Sequence, residues 1–260
     1  MFRDTLRVLT IVLCVACFTR MVAAQQWGDL TGKFVYDGPV PKPAKLNVTK
    51  DVEVCGKHPL VDETLVVADD GSLANVVVYL RGVFDKAGKV ETKKIKVHPD
   101  FESTSEPVKF DNKNCRFEPH VLAVRTGQVV ILGNADTVGH NTNLQPLGDQ
   151  PINPLLPAAG TIEYKFRRAQ TVGVPISCNI HPWMKGWIVP RDNPYVAVSG
   201  TDGTFKIEKL PVGELEFVAW QEQGGYVRKW DKGRFKMAIK PGANDMGVIK
   251  IKPEWIAPKT

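Results

Sequence analysis

Cys178-Asn179-Ile180-His181-Pro182-Trp183-Met184 places a thiol, an imidazole and a thioether on one short loop, and His140, well upstream, offers a second imidazole. Two imidazoles, a thiolate and a thioether form the donor set of a blue-copper electron-transfer site. Soft Cys and Met donors favour Cu(I) and imidazole suits Cu(II), so the mixed set holds both oxidation states. It leaves no open coordination position, which argues against catalysis at the metal. Taken singly, Cys178 reads as a buried thiol, His181 as a loop residue and Met184 as core filling. Together, at a Cys-x2-His-x2-Met spacing among strands, His140, Cys178, His181 and Met184 point to a metal site. His140 comes from a separate element, so the site requires a formed fold.

The chain has 260 residues, 43% hydrophobic and 24% charged, values of an ordinary globular protein of one or two domains. It opens with a short basic region, Met1 to Arg7, then an apolar run, Val8 to Phe18, then small residues Val22-Ala23-Ala24. That is the anatomy of a secretory signal peptide over residues 1–24, and the apolar run is too short to span a bilayer. The expectation is an exported protein, periplasmic or secreted, with no transmembrane segment in the mature chain. Cys14 and Cys17 leave with the signal. A lipid anchor at Cys17 is the weaker alternative, because no leucine stands three residues before it. Cleavage removes three arginines and one aspartate and takes the net charge from +6 to +4. The surplus is spread along the chain without a nucleic-acid motif, and it suits an acidic redox partner or plain solubility.

The mature chain keeps Cys55, Cys115 and Cys178. With Cys178 on the metal, the other two remain as a pair in an oxidising compartment, and a disulfide is the default expectation. The alternative is a two-Cys, two-His metal site built from Cys55-Gly-Lys-His58 and Cys115-Arg-Phe-Glu-Pro-His120.

Short alternating runs bounded by turns dominate the rest. Leu30 to Tyr36, Thr64 to Ala68, Asn75 to Leu80, Phe117 to Val124, Val129 to Leu132 after a turn at Thr126-Gly127, Thr161 to Phe166, Val172 to Ile176 and Gly186 to Val189 read as strands. No stretch holds helical periodicity over three turns. The expected fold is all-β. Residues 85–106 are polar and weakly patterned and read as a linker. His120, in Pro119-His120-Val121, reads as a hydrogen-bonded strand histidine rather than a second ligand, and His58 and His98 as exposed loop residues.

Residues about 107–192 resemble the cupredoxins, with an amicyanin- and plastocyanin-like ligand loop. The resemblance rests on Phe117 to Leu132, on Asn134-x-Asp136 leading to His140-Asn141, and on the Cys178 loop. It implies a Greek-key sandwich with one type 1 copper ion at one end. His140, Cys178 and His181 would be the equatorial ligands, Met184 the weak axial one, and Asn141 the residue steadying the cysteine-bearing loop. It also implies a His181 edge exposed in an apolar patch as the port for electrons, with Trp183 either part of that patch or packing the loop. A second resemblance, to the carboxypeptidase-regulatory-like (transthyretin-like) β-sandwich, rests on Thr201-Asp-Gly-Thr-Phe205-Lys-Ile207 and Leu210-Pro-Val-Gly213, with Leu30 to Phe34 and Asn75 to Leu80 as earlier strands. The resulting domain scheme is a small sandwich over 25–84 and 195–260, interrupted by a cupredoxin domain over 107–194. Three modules in series are the simpler alternative.

The expected function is single-electron transfer, with no enzymatic activity, between redox partners such as a c-type cytochrome or a dehydrogenase. The competing expectation is a copper-binding or carbohydrate/adhesion scaffold without electron transfer, with Trp220, Tyr226 and Trp230 lining a binding face or filling a core. A multicopper oxidase or nitrite-reductase-like enzyme needs further His clusters, and the chain has five His and no His-x-His. Neither Gly-x-Ser-x-Gly nor His-Glu-x-x-His occurs.

Overall fold

A computed structural model describes residues 27–103 and 106–258; the expected signal peptide, Cys14 and Cys17 lie outside them. The fold is all-β, and among the described residues α-helix is limited to Val52–Cys55 and Pro253–Ile256.

Two four-stranded sheets carry residues 108–191. One orders Thr161–Tyr164, Val130–Asn134, Val108–Lys113 and Arg116–Glu118. The other orders Val121–Arg125, Lys185–Arg191, Val174–Ser177 and Asn143–Leu144. Phe110, Phe117, Val130, Leu132, Phe166, Ile176 and Ile188 form a core that also takes in Cys178 and Met184.

The remaining strands come from both ends of the chain. Trp27–Tyr36 lies between Thr204–Pro211, antiparallel, and Gly242–Ile251, parallel. Its buried positions alternate, as in a strand with one face on a core. Val77–Phe84 pairs with Gly213–Gln221 and Val196–Val198, so it shares a sheet with the C-terminal strands.

The unbroken apolar run Val76 to Leu80 follows from burial on both faces. Val78 and Leu80 point with Phe34, Phe217 and Ile251 into one core. Val77 and Tyr79 pack with Val121, Val189, Val218 and Trp220 at the junction with the other pair of sheets. A strand covered on both sides has no reason to alternate. Trp187 of one unit meets Trp220 of the other edge to face at 5.1 Å.

Several expectations change. Thr64 to Ala68 is not a strand; only Val67 makes a bridge, to Leu73. The stretch expected as a linker holds Val90–Glu91, which extends the hairpin of Val77–Phe84, and a 3-10 turn at Pro99–Phe101. His98 is half-buried, with its ring 4.8 Å from that of Trp27 and its Nδ1 accepting from Asp100 N–H. His58 is half-buried too. Trp220 is buried and Trp230 stacks on Phe235, so these aromatics pack rather than form an open face.

Candidate metal centre

The loop from Cys178 to Met184 joins two antiparallel neighbours, Val174–Ser177 and Lys185–Arg191. It is closed on itself: Met184 N–H donates to His181 O at 2.9 Å, and Cys178 N–H to Met184 O at 3.3 Å. His140 and Asn141 form a two-residue strand against Leu155–Leu156, which carries them to the same end. His140, Cys178, His181 and Met184 are all 2% exposed or less.

His140 Nδ1 lies 4.0 Å and His181 Nδ1 3.7 Å from Cys178 Sγ. The donor atoms of these three residues all fall within 4.8 Å of one another. Donors about 2.0–2.3 Å from one ion stand roughly 3.5–3.8 Å apart at tetrahedral to trigonal angles, so the trio fits a single metal. Met184 sits in the same apolar cluster as Cys178. The donor set, soft sulfur with two imidazoles, suits copper.

Asn141 steadies the loop. Its Oδ1 accepts from Asn179 N–H at 2.7 Å and Ile180 N–H at 3.2 Å, and stands 3.5 Å from Cys178 Sγ. His181 N–H points at the same sulfur from 3.4 Å. Burial pushes the Cys178 thiol up, yet the His140 hydrogen bond and these amide groups outweigh it and the net direction is down. The Cys178 proton is therefore easier to remove than that of a free thiol.

Both imidazoles are backed by carboxylates. His140 Nε2 meets Asp136 Oδ2 at 3.0 Å, and His181 Nε2 meets Asp51 Oδ2 at 2.8 Å. Each contact places a ring proton on Nε2 and turns Nδ1 toward the sulfur, the arrangement that fixes tautomer and raises ligand basicity at metal sites. Burial lowers the His140 pKa, but Asp136 and Cys178 raise it more, to about 9. Burial dominates at His181, where the net shift is downward despite Asp51.

Asp51 arrives from far away in sequence, in the left-handed conformation (φ 47°) at the start of helix Val52–Cys55. A disulfide between Cys55 and Cys115 ties that helix down. Cys115 N–H in turn donates to Asp136 at 2.8 Å. The two carboxylates behind the two histidines are thus linked through one disulfide. Trp183 joins them, donating from Nε1 to Cys115 O at 3.1 Å with its ring 5.1 Å from that of His181.

These contacts overturn one expectation and decide between two readings of Cys55 and Cys115 in favour of the expected disulfide. His181 is wholly buried under the Asp51 segment, so it presents no exposed edge as an electron port. The two-Cys, two-His site with His58 and His120 is excluded, because the sulfurs of Cys55 and Cys115 are bonded to each other. Asp51 and Asp136 as supports of the ligands went unread in the sequence. Asp136 stood in a recognised motif, while Asp51 carries no local signal at all.

Neither a protein-family model nor a curated protein matches the sequence. Solved structures do. A copper-containing nitrite reductase from Thermus scotoductus SA-01 is 25% identical over 33% of this chain, with a TM-score of 0.31, and the chain spans 22% of its length. A mutant amicyanin in the oxidised state is 22% identical, covering 35% of this chain and 88% of its own, with a TM-score of 0.31. A purple cupredoxin from Nitrosopumilus maritimus is 22% identical over 32% of this chain and 99% of its own, with a TM-score of 0.28. Each of these similarities covers the smaller part of this chain.

Proposed function

We propose that this chain is an exported, non-enzymatic carrier of single electrons, holding one type 1 copper ion through His140, Cys178, His181 and Met184. The observation that supports it is the buried convergence of His140, Cys178 and His181, with donor atoms within 4.8 Å of one another. Copper bound there would supply a one-electron couple between Cu(I) and Cu(II).

The chain's own part is to keep the site fixed and dry. Asn141 holds the loop amides, Asp51 and Asp136 orient the rings, and the disulfide holds Asp51 over His181. A site held this rigidly resists rearrangement when the charge of its metal changes. Its burial offers a substrate no approach, in keeping with a carrier rather than an enzyme. Partners would be redox proteins such as a c-type cytochrome or a dehydrogenase, met outside the cytoplasm. The carrier domain would span 107–194 and interrupt a small sandwich over 25–84 and 195–260.

Visible and EPR spectra of the mature protein with Cu(II), beside Cys178→Ala, test this reading. Intense blue colour with narrow copper hyperfine splitting, absent from the variant, is expected, together with reversible electrochemical cycling. An ordinary tetragonal spectrum would sink the proposed ligand set. A metal locked in one oxidation state would favour a copper-binding scaffold.

A further inference from the structure

His120 stands where three distant segments meet, outside the centre just described. Its carbonyl accepts from Trp187 N–H at 2.9 Å, and its side chain is 8% exposed. Nε2 is in hydrogen-bond contact with the equally buried Glu222 carboxylate of the C-terminal sheet. Nδ1 has no hydrogen-bond partner. It faces Glu63 Oε2 across 3.7 Å, too far for a hydrogen bond. Both residues line a cavity of about 120 Å³ whose wall also includes Asp62, Thr64, Arg116 and Met184.

The arrangement is electrostatically incomplete. With Nε2–H donated to Glu222, a neutral ring would present the Nδ1 lone pair to the Glu63 carboxylate, two acceptors with no donor between them. Burying such a pair unsatisfied is costly. A proton on Nδ1 removes the conflict, and a metal cation taking the place of that proton removes it as well.

We propose that His120 Nδ1 and Glu63 Oε2 bind a divalent cation of the zinc type, a second metal site separate from the Cys178 centre, with Glu222 orienting the imidazole. Two donors about 2.1 Å from one ion at a tetrahedral angle stand about 3.4 Å apart, so closing the observed gap takes a few tenths of an ångström. A carboxylate behind the far ring nitrogen is the usual support of a metal-bound histidine. The cavity has room for the waters that would complete the shell, at about 30 Å³ each.

Burial lowers the basicity of His120, but Glu222, Glu63 and Asp62 outweigh it and the ring is driven upward. The field that favours a proton at Nδ1 favours a metal there as well, and the metal displaces that proton on binding. Arg116 Nη1, 3.6 Å from Oε1 of Glu63, engages the other carboxylate oxygen and leaves Oε2 for the ion. Two protein donors make this a weaker site than the first. Its effect is to pin Glu63 and His120 together beside Glu222, which stabilises the juncture with the logarithm of free metal once that exceeds the dissociation constant.

The test is calorimetric titration of Zn²⁺ into the full mature protein already loaded with copper, with the His120 ring nitrogens followed by NMR. One further saturable equivalent is expected, with Nδ1 the nitrogen that shifts. His120→Asn and Glu63→Gln should each weaken that equivalent at least tenfold, and Glu222→Gln by 10–100-fold as a supporting residue. Absence of a further equivalent, an undiminished one in His120→Asn, or a ring that stays protonated on both nitrogens at saturating Zn²⁺ overturns the proposal. The NMR arm needs no variant, so it decides the matter even where a substitution fails to fold. The copper spectrum reports separately on the Cys178 centre.

Discussion

Around Phe217 the interior is hydrocarbon: Leu30, Phe34, Leu80, Phe217 and Ile251 are wholly buried there. Around Cys178 the interior is just as dry but holds Asn112, Asn134, His140, Asn141, Thr142 and His181, none more than 6% exposed. The first region is stabilised by transferring apolar surface from water and tolerates any arrangement that fills its volume. The second depends on its polar groups finding partners, as Asn134 does with Val138 O at 2.8 Å and Leu156 O at 2.9 Å, although Asn112 Oδ1 finds none. One region contributes stability without chemistry; the other accepts buried polarity to fix the direction of a few donor atoms.

Substitutions should separate the two regions. Phe217→Ala should cost about 3–5 kcal/mol in denaturant unfolding while leaving the copper spectrum unchanged. Equal damage to both would show that the regions are one energetic unit. Removing the disulfide, Cys55→Ser with Cys115→Ser, should cost roughly 4 kcal/mol on the chain-entropy model for a separation of 60 residues. Unlike the Phe217 change, it should also speed exchange of the His181 Nε2 proton, which NMR would register.

Asp51→Asn keeps a residue tolerant of the left-handed backbone but loses the charge behind His181. Copper affinity by competition titration should fall 10–100-fold, with little change in unfolding midpoint. An unchanged affinity would make Asp51 a cover and nothing more.

The pH response should be graded. Below about 9, His140 of the metal-free protein carries an extra proton that copper must displace. Affinity should therefore climb by up to about tenfold per pH unit and level off above that value. Asp136→Asn should shift the plateau to lower pH. The same raised pKa stabilises the metal-free fold below the unfolded histidine value of about 6.5, a contribution lost as pH rises through about 9.

The ligand loop was legible because its chemistry is local: Cys178, His181 and Met184 lie within one turn of chain, and His140 follows a recognisable strand end. The pairing of Cys55 with Cys115 was legible from cysteine accounting. Asp51 was not, because its role depends on a contact across 130 residues that no spacing encodes. Glu63 and Glu222 escaped for the same reason. Thr64 to Ala68 misled through strand-like composition, since its backbone groups meet a short turn rather than a neighbouring strand. The stretch after Trp220 had no strand assigned, yet it supplies Arg234–Ile239 and Gly242–Ile251. Arg234–Ile239 does alternate, with Phe235, Met237 and Ile239 on one face, whereas the apolar positions of Gly242–Ile251 are sparse and its pairing with Trp27–Tyr36 decides its form.

The position of Trp27–Tyr36 between Thr204–Pro211 and Gly242–Ile251 governs the order in which this molecule can assemble. The strands of residues 108–191 find all their ladder partners among themselves, so that part can close while the rest is still being made. The first strand cannot. Its neighbours are the most distant in the chain, and closing such loops is what slows β-proteins. Phe34 to Tyr36 can pair early with Gly71 to Leu73, but during synthesis from the N-terminus the rest of its edges stay unpaired until the closing strands emerge, an interval in which they are open to pairing with another chain. The earliest strand to be made is thus the last to be secured, and aggregation during maturation should track the delay in delivering residues 204–251.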